Sequence, residues 1–144
     1  MHKYLIGVAA LAVIAATPAA AQQSSMKPGP MWTSARIYVE DGQMENYMDY
    51  LTKTWMANQA YAKSKGWLLE YHVLQSVNPR DGEPNIVLIT QYNDYPSAAE
   101  SERRDAIINQ RMALDDHAQA SASGDRTKMR KLMGSALYRE MLKR

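Results

Sequence analysis

The chain has 144 residues, which is enough for one domain with a single hydrophobic core and too short for two ordinary domains. Hydrophobic residues make up 46% and charged residues 22% of it, a globular composition, and the net charge of +2 indicates neither a nucleic-acid-binding protein nor a strongly acidic partner. Cysteine is absent, which excludes disulfides, cysteine-ligated metals and thiol nucleophiles.

The first 21 residues have the pattern of a secretory signal peptide. Lys3 precedes an apolar run over residues 4–16, and the alanines at 19–21 provide the small residues of a cleavage site. The run is shorter than the roughly 20 apolar residues that a membrane-spanning helix needs. We therefore expect cleavage after Ala21, export to the periplasm or beyond, and no membrane attachment of the mature chain.

Residues 22–31 contain two prolines, a glycine and several polar side chains. This composition predicts a flexible leader. The remaining residues, 32–144, are expected to form one domain.

One strand and one helix are predicted at the start of this domain. Residues 34–40 are rich in β-branched and aromatic side chains, and Asp41-Gly42 ends the run, which predicts a strand. Asp41 is then expected to cap a helix that ends before Gly66. The helix is predicted from apolar residues spaced three and four apart. They are Met44, Tyr47, Met48, Leu51 and Trp55.

Two further strands are predicted at 67–77 and 85–92. The seven residues between them include two prolines and an Asp-Gly turn signal, so an antiparallel pair is expected. The strand at 85–92 is apolar on both faces, which predicts a central position in the sheet. A second helix is predicted from Ser97, with Glu100 at capping-box spacing, to the polar stretch at 121–125.

The last segment, residues 131–142, is ambiguous in its local pattern. Leu132, Met133, Ala136 and Leu137 fit a helical period better than a strand alternation. Against a helix, Gly134-Ser135 interrupts the run. A strand here would complete the βαββαβ order of the ferredoxin-like fold.

Three parts of the sequence resemble dimeric α/β-barrel proteins of the antibiotic-biosynthesis-monooxygenase type. YVEDGQMENYMDYL resembles the start of their domain, and GWLLEYHVLQSV followed by EPNIVLITQYNDYPSAAE is similar to their central hairpin. RKLMGSALYREMLKR is similar to the closing strand of small exported bacterial members. The resemblance covers about residues 32–143 and implies a ferredoxin-like α+β fold: a four-stranded antiparallel sheet with two helices on one face. On this ground residues 131–142 are predicted as a strand.

The resemblance also implies a homodimer in which two sheets face each other. There is an independent physical reason to expect this, because two helices cover only one face of a four-stranded sheet. The strand at 85–92 is apolar on both faces, so its second face needs a partner.

His72 and Glu70 are the candidate catalytic residues. They are two apart on a predicted strand, so their side chains point to the same face. A carboxylate beside an imidazole orients it and raises its pKa, as a general base requires. The alternative is a polar pair with a structural role.

A second candidate site is a pocket for a small apolar or aromatic ligand. Its predicted lining consists of Tyr38, Trp55, Trp67, Tyr71 and Tyr92. Haem-degrading relatives use an Asn, a Trp and a His together, but the first strand here offers Ser34 and Arg36 and no Asn. No metal or other cofactor is predicted, because His117 has no second ligand three or four residues away on its helix.

Three functions are compatible with these patterns. The first is an exported dimeric protein of unassigned activity that binds a small apolar or aromatic ligand. The second is a cofactor-independent monooxygenase-like enzyme in which His72 and nearby tyrosines handle protons. The third is a non-catalytic interaction module of the cell envelope. No catalytic triad, P-loop or dinucleotide-binding fingerprint is present, which argues against hydrolases, NTPases and dehydrogenases.

Overall fold

The structure, a computed structural model, describes residues 23–113 and 115–144. The predicted signal peptide lies outside these residues. The elements in chain order are β1 (Met26–Val39), α1 (Met44–Tyr50), a π-helical segment (Leu51–Trp55), α2 (Met56–Ser64), β2 (Glu70–Gln75), β3 (Ile86–Tyr92), α3 (Ala98–Met112), α4 (Asp116–Arg126) and β4 (Arg130–Lys143).

The four strands form one sheet in the order β2-β3-β1-β4, and each neighbouring pair is antiparallel. This topology confirms the predicted ferredoxin-like α+β fold. The antiparallel pairing of β2 with β3 and the central position of β3 are also confirmed.

The hydrophobic core lies between one face of the sheet and the first helical segment. The predicted apolar stripe of this segment is confirmed, because Tyr47 and Leu51 are buried against the sheet. Met44, Met48 and Trp55 pack around them. The sheet contributes Ile37, Val39, Ile86 and Leu88.

The predicted N-cap of α1 is wrong. The helix begins after Gln43, whose side chain makes no capping hydrogen bond, and Asp41 lies in the preceding turn. Gly42 adopts a left-handed φ of 76° in this turn and redirects the chain from β1 into the helix. At the other end Gly66, with a φ of 69°, follows the last turn of α2 as predicted.

β1 is longer than predicted, and residues 26–31 of the predicted leader belong to it. Pairing with β4 is the reason: Met26, Lys27 and Pro28 lie opposite Lys143, Leu142 and Met141. β3 pairs with β1 only from Met31 onwards, so the two prolines of this stretch lie at a free edge, where the missing N–H costs no ladder hydrogen bond.

The predicted strand at 131–142 is confirmed as part of β4, and a β-bulge explains its helix-like pattern. Ser135 pairs with Ala35 and Leu132 with Ile37, so Met133 and Gly134 both lie opposite Arg36. Such an extra residue shifts the side-chain alternation by one position. The apolar residues therefore lose the period of two that identifies a strand.

The second predicted helix is two helices. Ser97 caps α3 by accepting a hydrogen bond from the Glu100 N–H, as predicted. α3 ends at Met112 because Ala113 adopts a left-handed φ of 52°. Asp115 then caps α4 by accepting from the Ala118 N–H at 2.7 Å, and this second cap separates the helices.

One face of the sheet packs against the helical layer, and we call the other the open face. Strand alternation and the pairing registers assign its residues. They include Trp32, Ser34, Arg36, Tyr38, Glu70, His72, Leu74, Val87, Ile89, Gln91, Lys131, Ala136 and Tyr138. Within residues 23–113 and 115–144, no helix is long and apolar enough to cross a membrane.

Candidate functional site

Three of the five predicted ligand-binding residues line one cavity of about 430 Å³. Trp55 is the last residue of the π-helical segment, Trp67 follows α2, and Tyr92 is the last residue of β3. We call this cavity the aromatic cleft. Tyr71 is not among the lining residues, but its ring packs edge-on against Trp55 with centroids 6.0 Å apart.

The helices α2 and α3 and the loop after β3 complete the walls of the aromatic cleft. These walls mix apolar groups with a few polar ones, which is the usual composition of small-molecule sites. Their residues include Asn58, Gln59, Ala62, Leu68, Tyr95, Pro96, Ser101, Arg104, Asp105 and Ile108.

The indole of Trp67 is held in place by both neighbouring helices. The Trp67 backbone N–H donates to the Ala62 carbonyl at 3.0 Å, which fixes the chain after Gly66. Tyr61 packs edge-on against the indole at 5.9 Å. The Arg104 guanidinium lies 5.4 Å from the centre of the indole and donates to the Trp67 carbonyl at 3.2 Å. These contacts on several sides fix the position of the Trp67 indole at one wall of the aromatic cleft.

A carboxylate holds the two arginines beside Trp67. Glu100 accepts from Arg103 Nε at 2.7 Å and from Arg104 Nε at 2.6 Å. These hydrogen bonds lower the pKa of Glu100 to about 2, with the Arg103 bond contributing most. Asp105 lines the same cleft as Arg104. The charges of these four side chains sum to zero, so the aromatic cleft carries no strong field of either sign.

A chain of hydroxyl groups connects the core to the aromatic cleft. Thr33 and Thr90 are hydrogen-bonded through their hydroxyl oxygens, and Thr90 Oγ1 donates to the Tyr92 hydroxyl oxygen at 3.1 Å. Among the described residues, Thr90 is the one buried polar residue, and it is 6% exposed. Neither threonine is predictable as a site residue from the sequence, because their contact depends on the register of β1 against β3.

The candidate catalytic pair lies outside the aromatic cleft. Glu70 and His72 are on the open face, where both are exposed. Glu70 accepts from Lys63 Nζ at 2.7 Å, and this hydrogen bond is the main cause of its lowered pKa. In the part of the chain that the structure describes, no hydrogen bond joins Glu70 to His72. Their catalytic role stays a prediction.

Tyr38 also lies away from the aromatic cleft. Its side chain borders a different cavity beside the loop at 79–83. Strand alternation explains the separation, because Tyr38 is on the open face whereas the aromatic cleft lies on the helical side of the sheet.

A larger cavity of about 1140 Å³ lies between the first helical segment and α3–α4. Tyr50 is the one aromatic side chain among the described residues that line it, and eight of the other twelve lining residues are polar or charged. The aromatic cleft therefore fits the predicted ligand class better. No group of three or more His, Asp or Glu side chains close enough to bind a metal occurs among residues 23–113 and 115–144.

No protein-family model matches the chain, and no curated protein matches its sequence. Protein SO0527 from Shewanella oneidensis has a similar structure, with 12% identity, a TM-score of 0.51, and coverage of 81% of this chain and 98% of that one. HapK from Hahella chejuensis gives 8% identity, a TM-score of 0.49, and coverage of 76% and 91%. A dimeric ferredoxin-like protein from an uncultured marine organism gives 11%, 0.48, and coverage of 81% and 89%. The likeness to SO0527 supports the fold alone.

Proposed function

We propose that this chain is an exported homodimeric protein that binds a small neutral aromatic or apolar ligand in the aromatic cleft. The convergence of Trp55, Trp67 and Tyr92 from three separate segments on one cavity carries this proposal. The cavity volume of about 430 Å³ lies within the range of about 300–1,000 Å³ that is usual for small-molecule sites. Aromatic side chains offer ring faces and edges against which a flat ligand packs.

The charge balance of the aromatic cleft favours a neutral ligand. Arg104 is already bonded to Glu100 and to the Trp67 carbonyl, so its guanidinium is engaged without a ligand. Asp105 adds a negative charge to the same wall. An anionic ligand would therefore have to leave water without gaining an unengaged cation, and a cationic ligand would gain only the exposed Asp105 carboxylate.

The open face supports the homodimer. Leu74 and Tyr138 on this face are 48% and 56% exposed, although both are large and apolar in character. Val87 and Ile89 lie beside Leu74 and His72 across the β2–β3 pair. An exposed apolar surface of this kind marks an interaction site, and a second copy of the same sheet presents a matching one.

Export is the remaining part of the proposal and rests on the signal-peptide pattern of residues 1–21. It predicts that the protein recovered from the periplasm begins at Gln22. Intact-mass spectrometry tests this, and a periplasmic protein that retains Met1 would contradict it. The alternative of an enzyme that uses His72 has less support, because His72 lies on the open face and not in the aromatic cleft.

Isothermal titration calorimetry with 1-naphthol tests the binding site. We expect the wild-type protein to bind one molecule per chain. Ser101→Phe places a ring inside the aromatic cleft and is expected to abolish binding, since Ser101 lines the cavity. Ala99→Phe adds the same ring to an exposed position of the same helix and is expected to leave binding unchanged.

Two results would contradict the proposed site. One is the absence of any binding of 1-naphthol to the wild-type protein. The other is binding that Ser101→Phe leaves intact, because the ligand would then lie elsewhere on the protein. Far-UV circular dichroism of both variants confirms that each is folded.

A further inference from the structure

We infer that the Tyr92 hydroxyl donates a hydrogen bond to the ligand, so that the aromatic cleft selects aryl ketones, quinones and similar ligands with an acceptor oxygen. A hydrocarbon of the same shape would lack this hydrogen bond. The inference rests on the proposed function, because it concerns the same cleft. It is carried by the hydroxyl chain of Thr33, Thr90 and Tyr92.

The positions of the three hydroxyl groups follow from the sheet. Thr33 in β1 pairs directly with Thr90 in β3, so both side chains point to the helical side of the sheet. Tyr92 is two residues after Thr90 on the same strand and therefore shares that face. It is the last residue of β3, and its side chain lines the aromatic cleft. The hydroxyl chain thus begins in the sheet and ends on a residue that lines the cavity.

The direction of the hydrogen bonds follows from the number of protons. Each hydroxyl group has one proton to donate. Thr90 donates its proton to the Tyr92 oxygen, so the proton between the two threonines must come from Thr33. The Tyr92 oxygen therefore accepts a hydrogen bond and keeps its own proton for another group. No acceptor for that proton occurs among the residues that the structure describes.

Burial explains why the Thr90 hydroxyl has a partner on each side. Thr90 is almost completely enclosed, and a buried hydroxyl is expected to satisfy both its donor and its acceptor. Thr33 on one side and Tyr92 on the other provide both partners. A hydroxyl that accepts from one neighbour is a stronger donor to the next, so Tyr92 is a better donor than an isolated phenol. Thr90 acts here as a positioning residue.

The test compares 1-tetralone with tetralin, two bicyclic ligands that differ in one carbonyl group, by isothermal titration calorimetry. We expect Tyr92→Phe to weaken the binding of 1-tetralone by about 3- to 10-fold, the usual net effect of one hydrogen bond. The same substitution is expected to change tetralin binding by less than about twofold, since the ring remains.

Thr90 variants test the positioning role. Thr90→Val removes the hydroxyl and is expected to weaken 1-tetralone binding by about 2- to 5-fold, less than the loss of the donor itself. Thr90→Ser keeps the hydroxyl and is expected to retain wild-type affinity. A role in packing alone would instead weaken both ligands together. If Thr90→Val does not fold, the double variant Thr33→Val/Thr90→Val replaces it. This variant removes both buried hydroxyls, so neither is left unpaired, and the same weakening of 1-tetralone binding is expected.

The outcomes separate this inference from the proposed function. If Tyr92→Phe weakens both ligands equally, or neither, the hydrogen bond is overturned while the aromatic cleft stands as the binding site. If wild-type protein binds neither 1-tetralone nor tetralin, the inference and the proposed ligand class both fail.

Discussion

At the scale of the residue, Tyr47 shows what burial does to an ionisable group in this core. The side chain is 1% exposed, and burial raises its pKa to about 12, against the opposing effect of Arg130, whose guanidinium lies 5.8 Å from the ring centre. The neutral phenol is the form that the folded state favours. Tyr47 therefore stabilises the fold fully below about pH 10, and this stability is lost as pH rises through about 12.

We expect Tyr47→Phe to remove this alkaline loss. Phe keeps most of the packing and cannot ionise. The free energy of unfolding of the Tyr47→Phe variant should therefore fall less than that of the wild type between about pH 9 and 11.5. The full effect is on the order of 2–3 kcal/mol, since one pKa unit corresponds to about 1.4 kcal/mol. Urea unfolding across this pH range measures it. Parallel pH profiles for the two proteins would show that Tyr47 is not the group responsible.

Gly134 is a second residue whose role is local. Its φ of 108° in the bulge of β4 is a conformation that side chains rarely adopt. Gly134→Ala is expected to destabilise the protein by about 1–3 kcal/mol. Gly124 lies within α4, where an added methyl group meets no atom within 4 Å. Gly124→Ala is therefore a control of opposite sign, with an expected gain of about 0.5–1 kcal/mol. Equal effects in urea unfolding would contradict the bulge geometry.

At the scale of the element, β3 separates folding from association. Leu88 and Ile89 are adjacent and point to opposite faces. Leu88 belongs to the core, whereas Ile89 lies on the open face opposite His72. Leu88→Glu is expected to prevent stable folding, because it buries an unpaired charge. Ile89→Glu is expected to keep the fold and to dissociate the dimer.

Sedimentation velocity and circular dichroism together test this separation. We expect the wild type to sediment as a dimer and Ile89→Glu as a folded monomer. A wild-type monomer at micromolar concentration would refute the homodimer. An Ile89→Glu protein that remains dimeric would place the interface elsewhere.

The elements also show which features a sequence reveals. The helix that contains Tyr47 and Leu51 was predictable, because its apolar period is strong and continuous. The strand β4 was not predictable from its local pattern, since the bulge at Gly134 breaks the alternation. Only the resemblance to a known fold identified it. The early start of β1 was missed because pairing with β4 outweighs the low strand propensity of its prolines.

The candidate site was predictable in part for a similar reason. Trp55 and Trp67 stand out because large aromatic residues are typical of ligand pockets. The contact of Thr33 with Thr90 depends on the pairing of two strands that are far apart in the sequence. Tyr38 was grouped with the cleft residues by type, but the alternation of β1 places it on the opposite side of the sheet.

At the scale of the whole molecule, we propose a different function for each side of the sheet. The helical side holds the aromatic cleft, and the open face is proposed to form the dimer. The three tryptophans of the sequence are divided between these two sides, so their signals report on each side separately. Trp55 and Trp67 line the aromatic cleft. Trp32 lies on the open face, where its indole N–H donates to Glu140 Oε2 at 2.9 Å.

The most direct test of ligand binding in the aromatic cleft is a ¹H–¹⁵N spectrum of the tryptophan indole groups during titration with 1-naphthol. Single Trp→Phe variants assign the three signals. We predict that the indole signals of Trp55 and Trp67 shift progressively and saturate together, while the Trp32 signal stays in place. A titration that shifts Trp32 and leaves Trp55 and Trp67 unchanged would contradict the account, because the ligand would then bind on the open face.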